Sequence, residues 1–196
     1  MTRPLLILAS TSRYRRELLG RLRLPFEVIS PEVDETALPG EAPAPLAERL
    51  ALAKAHAVAA LHPDAVVIGS DQVCELDGQP LGKPGDHGRA TQQLRLLSGH
   101  TAIFHTAVSV VQASTGFEQL ALSSVRVRFR EMSDQDIDRY LHLDRPYDCA
   151  GSAKCETLGI TLLESIESDD PTALIGLPLI HTARLLRRAG IDPLSP

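Results

Sequence analysis

Short apolar runs alternate along the chain with stretches of helical periodicity, and Gly, Pro and Ser residues separate most of them. Apolar runs beside turn residues are typical of strands, whereas apolar positions three and four residues apart are typical of helices. The patterns predict strands over residues 5–9, 26–29, 65–68, 102–111, 125–130 and 159–166, helices over 13–22, 46–61, 89–97, 133–142 and 174–189, and a hairpin turn at 77–78. Because the two kinds of element are interspersed, the fold class is α/β or α+β with a mixed sheet.

The helix predicted over residues 46–61 has the clearest apolar face. The helical spacing places five apolar residues on one side, and we expect this side to be buried. They are Leu46, Leu50, Ala53, Ala57 and Leu61. The sequence has no internal repeat, low-complexity tract or evident linker. We therefore expect a single domain over residues 1–196.

Composition and charge exclude several classes of protein. With 43% hydrophobic and 23% charged residues, the chain is unlike disordered, collagen-like or coiled-coil sequences. A net charge of −5 gives no sign of the basic face that a nucleic-acid-binding protein carries. The three cysteines lack regular spacing, which argues against a disulfide framework and favours the cytoplasm. The apolar run at 5–9 is too short for a signal peptide or a membrane span.

The first strand and helix, joined by a polar turn, form a candidate anion site. A helix that begins just after a strand presents unpaired backbone N–H groups and the positive end of its dipole. Ser10 lies in the turn, and Arg15 and Arg16 add two permanent charges to the first helical turn. The segment lacks the glycines and the Lys of a Walker loop. A plain helix cap with solvated arginines is the alternative interpretation.

Carboxylates occur at two further places. Glu32, Asp34 and Glu35 lie within four residues of a predicted loop, where their oxygens suit Mg²⁺ or Mn²⁺. Asp71 lies in the segment 69–72, which we place at the end of a buried strand, where α/β proteins bind ligands. A carboxylate there can hold a metal or accept a proton from water. A solvated acidic turn and an Asx turn are the alternatives.

Lysine is rare, since 17 of the 20 basic residues are Arg and only Lys54, Lys83 and Lys154 are Lys. Lys83 lies between Gly82 and Pro84, a rigid turn that can present one ammonium group. Chance retention of three surface lysines is the alternative. This set of charges suits a polyphosphate bound with magnesium. The lysines and the arginines at the first helix can neutralise phosphate oxygens, and the clustered carboxylates can hold the metal.

Other residues carry weaker signals. The seven His and three Cys show no zinc-binding spacing, and inert cysteines are the simplest interpretation. We expect His105 to be a packed histidine. The alternation of Arg126, Arg128 and Arg130 with apolar residues predicts one solvated strand face.

Eight segments of the chain resemble the Maf family of nucleoside triphosphate pyrophosphatases, in the order of that family. They are LILASTSRYRRELL, EVDET, RLALAKA, IGSDQV, LGKP, LRLLSG, DCAGSAKCETLGI and IGLPL, which extend from Leu6 to Leu179. All three lysines fall within them. Together these motifs are highly specific and cover nearly the whole chain.

The resemblance implies an elongated, two-lobed α/β fold of the Maf/ITPase type, with a central mixed sheet and a cleft between the lobes. It implies cleavage of a nucleoside triphosphate between the α and β phosphates, with a divalent cation, Mg²⁺ or Mn²⁺, held by Glu35 and Asp71. Asp71 matches the proton acceptor. With the interpretation given above, the expected catalytic residues are Asp71, Glu35 and Lys83, and the expected substrate-binding residues are Ser10, Tyr14, Arg15, Arg16, Lys54, Gln72, Lys154 and Glu156.

Within the family, the sequence is most similar to the subgroup that acts on 7-methyl-GTP. Gln72 follows the Asp where the dTTP/UTP branch has Thr, and Glu156 stands where that branch has Gln. The aromatic Tyr14 suits a base that carries a positive charge, because an aromatic face attracts a cation. Three positions depart from the usual pattern of the subgroup. Tyr14 stands in place of a larger aromatic residue, Ala153 in place of an aromatic residue and Thr157 in place of Gly.

Two alternatives remain open at this point. One is the same chemistry on dTTP and UTP. The other is a non-catalytic nucleotide-binding regulator linked to division arrest. We expect a small-molecule partner, no nucleic acid or membrane, and a homodimer by resemblance.

Overall fold

A computed structural model describes residues 4–195 and confirms the mixed α/β class. One seven-stranded sheet runs in the order β2-β1-β3-β5-β6-β7, and β4 pairs with β3 at its far end. The strands are β1 (Leu6–Ala9), β2 (Glu27–Ile29), β3 (Val66–Leu76), β4 (Gln79–Leu81), β5 (Thr101–Gln112), β6 (Phe117–Phe129) and β7 (Leu163–Glu167). β1 is parallel to β2 and β3, and the other pairings are antiparallel.

Within residues 4–195, five α-helices flank this sheet. They are α1 (Arg13–Gly20), α2 (Pro43–Ala59), α3 (His87–Leu97), α4 (Asp134–Asp144) and α5 (Leu179–Arg188). Each overlaps a helix expected from the sequence. None of the helices within residues 4–195 combines the length and the apolar character needed to cross a bilayer.

The expected end of the third strand is wrong. The sequence predicted a strand over residues 65–68 with Asp71 at its end, but β3 continues to Leu76. β5 pairs with it along its length, from Val67 opposite Val111 to Glu75 opposite Ile103. The polar residues therefore stay in the strand, because its backbone hydrogen bonds continue through them.

Two expectations near the C-terminus are also wrong in detail. The strand expected from residue 159 is a 3₁₀ turn, Leu158–Leu162, followed by β7. The helix expected from residue 174 is a 3₁₀ turn, Ala173–Ile175, followed by α5. Gly176, with φ of 126°, and Pro178 separate the two helical segments, because neither residue favours a continuous helix.

The buried face of α2 is rotated from the one expected. Leu46 and Leu50 are buried, whereas Leu61 lies beyond the helix and is 75% exposed. The residues of this face that contact the sheet include Ala47, Ala51, Ala55, Val58, Ala59 and the charged Lys54. A lysine on the buried face disrupts the apolar pattern, which explains why periodicity alone chose a neighbouring stripe.

Small residues let α2 lie directly on β3. A Cβ atom at Gly69 would lie 2.1 Å from the backbone oxygen of Ala51 and 2.7 Å from the backbone nitrogen of Ala55. The helix can come this close only because residue 69 has no side chain. This contact places Lys54, one residue before Ala55, beside the middle of β3.

We expect Gly69→Ala to destabilise the protein, because the clash is with backbone that cannot rotate away. Overpacking of this kind costs about 1–3 kcal/mol or more, which corresponds to a fall in Tm of several degrees for about 200 residues. The matched control is Gly20→Ala, since nothing lies within 4 Å of a Cβ at that position. Thermal melting of both variants measures the effect, and equal Tm values would contradict the close approach.

Candidate functional site

A cleft of about 660 Å³ opens beside the middle of β3. Its walls come from the start of α1, the loop over residues 30–42, α2, β3 and two segments near the C-terminus. Nine of the eleven predicted site residues line it, namely Ser10, Tyr14, Arg15, Glu35, Lys54, Asp71, Gln72, Lys83 and Glu156. The fold therefore brings together residues that are up to 146 positions apart in the sequence.

Lys54 joins two carboxylates at the inner end of the cleft. Its Nζ atom lies 2.6 Å from Asp71 Oδ1 and 2.6 Å from Glu35 Oε1. The side chains of Lys54 and Asp71 are only 6% and 10% exposed, whereas that of Glu35 is 55% exposed. A buried ammonium between two carboxylates forms a compact charged centre, open to the cleft on the Glu35 side.

Each member of this centre is held by a different element. Asp71 lies within β3, where it is paired with Ala107 of β5. Glu35 lies in the loop before α2, and Arg49 of α2 ties this loop down. Arg49 donates to both carboxylate oxygens of Glu41, at 2.6 and 2.7 Å, and to the carbonyl oxygen of Thr36 at 3.1 Å.

Charges in the cleft affect the titration of its groups. Burial raises the pKa of Glu35, but the hydrogen bond from Lys54 and the charges of Lys54, Lys83 and Arg15 outweigh it and hold the pKa below its usual value. Burial lowers the pKa of Arg15, while the negative charges of Asp71 and Glu35 oppose this effect. Arg15 and Lys83 therefore act electrostatically on the same centre as Lys54.

The start of α1 is anchored to the segment over residues 173–176. Ser12 caps the helix by accepting from the backbone nitrogen of Arg15 at 3.4 Å, and Ser10 Oγ accepts from the nitrogen of Ser12 at 3.1 Å. Arg15 Nε donates to the carbonyl oxygen of Gly176 at 2.9 Å, and Ser70 Oγ donates to the same oxygen at 3.2 Å. These contacts position the Arg15 guanidinium group at the cleft.

The Tyr14 end of the cleft combines an aromatic ring with charges of both signs, since Arg13 and Lys154 lie 3.8 and 3.9 Å from the Asp148 carboxylate. Tyr14 donates its hydroxyl hydrogen toward Asp148, at 3.3 Å from Oδ2, and Phe104 and Glu156 line the same cleft. The Arg13 guanidinium carbon lies 4.8 Å from the centre of the Tyr14 ring, so that a cation already rests against this aromatic ring. Sequence reasoning missed Asp148 and Phe104, although Asp148 is the first residue of the DCAGSAKCETLGI segment.

A family model described as "Maf-like protein" matches residues 5–189. The chain belongs to the Maf family. A protein of Polaromonas sp. (strain JS666), named "7-methyl-GTP pyrophosphatase", is 64% identical over 190 residues, which cover 97% of this chain and 86% of that one. A protein of the same name from Albidiferax ferrireducens is 62% identical over 97% of this chain and 96% of its own length. Another from Bordetella pertussis is 60% identical over 98% of this chain and 96% of its own length.

One solved structure shows a weaker likeness to this Maf chain. It is titled "Structure of a HAM1 protein from Coxiella burnetii" and has a TM-score of 0.46 and 16% identity, covering 65% of this chain and 73% of that one. This likeness is too slight to bear on the site.

Two predicted substrate-binding residues of this Maf chain lie outside the main cleft. Arg16 is exposed on α1 and lines no part of it. Lys154 lines a smaller pocket beside Tyr14, and its Nζ atom donates to the carbonyl oxygens of Asp144 and Arg145, at 3.0 and 3.4 Å. Because Lys154 is only 6% exposed, it holds the end of α4 in place.

Gln72 has structural contacts that the sequence did not suggest. Its side-chain nitrogen donates to Thr106 Oγ1 at 2.9 Å and to the carbonyl oxygens of Ala173 and Leu174 at 3.0 Å. This nitrogen carries two hydrogens, so its donor capacity is used within the protein. Gln72 thus holds the segment that in turn anchors Arg15.

The structure also tests the expectations for His105, for the arginines of β6 and for the cysteines. His105 is buried, as expected, between Glu75 at 2.7 Å and Ser124 at 2.9 Å. Arg126 and Arg128 face solvent and pair with Glu167 and Glu164. Cys74, Cys149 and Cys155 are free thiols, and burial raises the pKa of each to about 12, as expected of inert cysteines.

The donor set of the inner centre fits a hard divalent cation. Glu35 Oε1 and Asp71 Oδ1 both contact the Lys54 ammonium, and each carboxylate has a second oxygen that can serve as a metal ligand. Mg²⁺ is commonly held by one or two carboxylates together with substrate phosphates. The two carboxylates of this Maf chain therefore suit a hard divalent cation.

Proposed function

We propose that this chain is a nucleoside triphosphate pyrophosphatase that hydrolyses 7-methyl-GTP to 7-methyl-GMP and diphosphate, and so removes a modified nucleotide from the cell. The observation that carries the proposal is the buried Lys54 bridge between Glu35 and Asp71, in one cleft with Arg15 and Lys83. Family membership and the names of the relatives support it. We assign the activity to a single domain, residues 1–196.

In the proposed mechanism, Asp71 accepts a proton from the water that attacks the α phosphorus. Lys54 orients this carboxylate through its 2.6 Å contact. Arg15, Lys54 and Lys83 neutralise the charge of the triphosphate, which lowers the barrier to attack by an electron-rich oxygen. A Mg²⁺ or Mn²⁺ ion held by Glu35 and Asp71 would supply further positive charge to the phosphoryl oxygens.

The Tyr14 end of the cleft suits the methylated base. Methylation at N7 gives guanine a positive charge, which a Tyr face attracts by about 0.5–2 kcal/mol. The carboxylate of Asp148 lies at the Tyr14 hydroxyl, and Glu156 can accept hydrogen bonds from the N1–H and N2–H₂ edge of guanine. Because Asp148 also lies 3.8 Å from Arg13 and 3.9 Å from Lys154, Glu156 is the carboxylate that we expect to offset most of the charge of the base.

The deciding experiment measures diphosphate release from 7-methyl-GTP, GTP, dTTP, UTP and CTP, with Mg²⁺, Mn²⁺ and EDTA in parallel. We expect a strong preference for 7-methyl-GTP that EDTA abolishes. A preference for dTTP and UTP would keep the chemistry and contradict the base assignment. Tight nucleotide binding without release from any substrate would favour the non-catalytic regulator.

Base selectivity is tested by removing the two carboxylates one at a time. We expect Glu156→Gln and Asp148→Asn each to lower the ratio of kcat/KM for 7-methyl-GTP to that for GTP about tenfold, because a tenfold change corresponds to about 1.4 kcal/mol, within the range of a charge-assisted contact. Glu167→Gln is the matched control, since Glu167 lies on β7 and pairs with Arg126. Unchanged ratios in both variants would remove these residues from base recognition.

We also propose that the protein works in the cytoplasm on a small molecule. Free thiols at all three cysteines, with no pairing between them, are typical of a reducing compartment. A homodimer remains an expectation from the family resemblance.

A further inference from the structure

We propose a second metal site, for Zn²⁺, formed by His87, Asp138 and His142 and separate from the cleft. Each residue offers one ligand atom, and these atoms lie within 4.8 Å of one another. Within residues 4–195 this is the one group of three or more His, Cys, Asp or Glu side chains with such spacing. The site does not depend on the proposed function.

The three side chains are carried by rigid elements. His87 is the first residue of α3, and Asp138 and His142 are one turn apart on α4. A shared apolar core between α3 and α4 fixes the position of one helix relative to the other. This core includes Leu94, Leu97, Ile137 and Leu141. Sequence spacing alone did not reveal the site, because one ligand comes from a helix about 50 residues earlier.

The distances match those between ligands of one ion. Asp138 Oδ1 lies 3.4 Å from His87 Nε2 and 3.4 Å from His142 Nδ1. Two ligands each about 2.05 Å from a tetrahedral Zn²⁺ lie about 3.3 Å apart. Both distances exceed that of an ordinary N–H···O hydrogen bond, so these atoms converge without bonding well to one another.

Tyr147 supports one tautomer of His87. Its hydroxyl lies 3.3 Å from the carbonyl oxygen of Leu141, which can only accept, and 3.1 Å from His87 Nδ1. When the hydroxyl hydrogen is donated to Leu141, the contact with Nδ1 uses a hydrogen on the histidine. In the neutral ring, the lone pair is then on Nε2, which faces the Asp138 carboxylate. A lone pair that faces a carboxylate calls for a cation between them, and a hydrogen-bonded opposite nitrogen is the usual second-shell support of a metal ligand.

The ligand chemistry selects the kind of ion. Two imidazoles and one carboxylate suit Zn²⁺ and related first-row ions, whereas Mg²⁺ prefers oxygen ligands alone. His142 is exposed, and its Nδ1 contacts the carbonyl oxygen of Asp138 at 2.9 Å. Because a carbonyl only accepts, Nδ1 carries the hydrogen in the neutral ring, and Zn²⁺ binding at this atom would break that hydrogen bond and move the hydrogen to Nε2. Water would complete the coordination.

The site lies behind two walls of the cleft. The backbone nitrogen of Gly85, two residues after Lys83, donates to the carbonyl oxygen of Tyr147 at 3.0 Å, and Tyr147 precedes Asp148. Because Lys83 and Asp148 both line the cleft, an ion on His87 would tie together the segments that carry them. We infer a structural ion that stabilises this side of the fold.

The test titrates the full-length, tag-free protein with Zn²⁺ by calorimetry in excess Mg²⁺. We expect one Zn²⁺ per chain, and binding about tenfold or more weaker in Asp138→Asn and in His142→Gln. At free Zn²⁺ about 100-fold above Kd, Tm should rise by about 5 °C or more in the parent chain and less in both variants. Co²⁺ in place of Zn²⁺ should give the visible spectrum of a tetrahedral site.

Two controls separate this site from other histidines and from the cleft. His100→Gln, which removes an exposed histidine elsewhere, and Asp71→Asn should both bind Zn²⁺ as the parent chain does. The use of two exposed ligand positions keeps the test valid if one variant folds poorly. Binding unchanged in both ligand variants, or no Zn²⁺ bound in excess Mg²⁺, would overturn the proposal.

Discussion

Replacing Asp71 with Asn is expected to lower kcat for diphosphate release about 100-fold or more, because an amide cannot accept a proton from the attacking water. Asn has nearly the shape of Asp, so the packing in β3 should be kept. The partner Lys54, 2.6 Å away, loses one of its two carboxylates but retains Glu35. Steady-state kinetics with saturating 7-methyl-GTP and Mg²⁺ measures the change.

The matched control is Asp134→Asn on α4, where an exposed aspartate pairs with Arg95 at 2.7 Å. It removes a paired carboxylate of the same kind away from the cleft, and its kcat should stay close to that of the parent chain. Melting curves of both variants check that the fold is intact. Turnover in Asp71→Asn within a few-fold of normal would exclude Asp71 as the proton acceptor.

Replacing Lys54 with Met is expected to reduce both activity and stability. Met fills a similar volume, but Asp71 and Glu35 lose the ammonium that joins them. Breaking a buried pair leaves an uncompensated charge, and with Glu35 half exposed we expect a loss of about 1–3 kcal/mol at neutral pH. kcat/KM should fall about 100-fold, because a cation at the reacting phosphates is lost.

The loss of unfolding free energy in Lys54→Met should become smaller as the pH falls. In the parent chain the pKa of Glu35 is held below its usual value, so this group stabilises the fold above the unfolded pKa and loses that contribution as pH falls through the lower folded pKa. Without Lys54, burial still raises the pKa of Glu35 and only the charges of Lys83 and Arg15 lower it, so the folded pKa moves back toward its usual value. The difference in unfolding free energy between the two proteins should therefore be largest near pH 7 and shrink toward pH 4.

Lys83→Met is the matched control for this effect. Lys83 is exposed in the same cleft, and its loss should lower activity with little change in Tm. Denaturant unfolding at several pH values, combined with kinetics, separates the two lysines. Equal stability losses in the two variants would contradict a special role for the buried bridge.

Much of the architecture follows from local patterns in the sequence. The strand, polar turn and helix that lead from Leu6 to Gly20 were predicted within two residues, because a five-residue apolar run, a capping serine and spaced leucines all indicate the same structure. Motif resemblance also identified most of the cleft. Nine of the eleven predicted residues meet there, which no periodicity argument would have shown.

What the sequence could not show depends on contacts between distant segments. The polar residues after Gly69 signal a turn locally, yet pairing with β5 keeps them in the strand. The contacts of the Gln72 side-chain nitrogen with Ala173 and Leu174, about 100 positions later, could not be predicted locally, although Gln72 lines the cleft as expected. Asp148 belongs to the cleft only because its segment folds back against Tyr14. Such partners are fixed by tertiary packing rather than by propensity.

The two carboxylates of the inner centre are carried by different kinds of backbone. Asp71 belongs to the ladder between β3 and β5, so its position in the cleft is set by strand pairing. Glu35 belongs to an irregular loop that Arg49 ties down through Glu41 and Thr36. The centre therefore joins one carboxylate held by the sheet to one held by side-chain contacts. In the proposed mechanism, ions of different radius and the changing shape of the phosphate would be accommodated on the Glu35 side, while Asp71 stays in register.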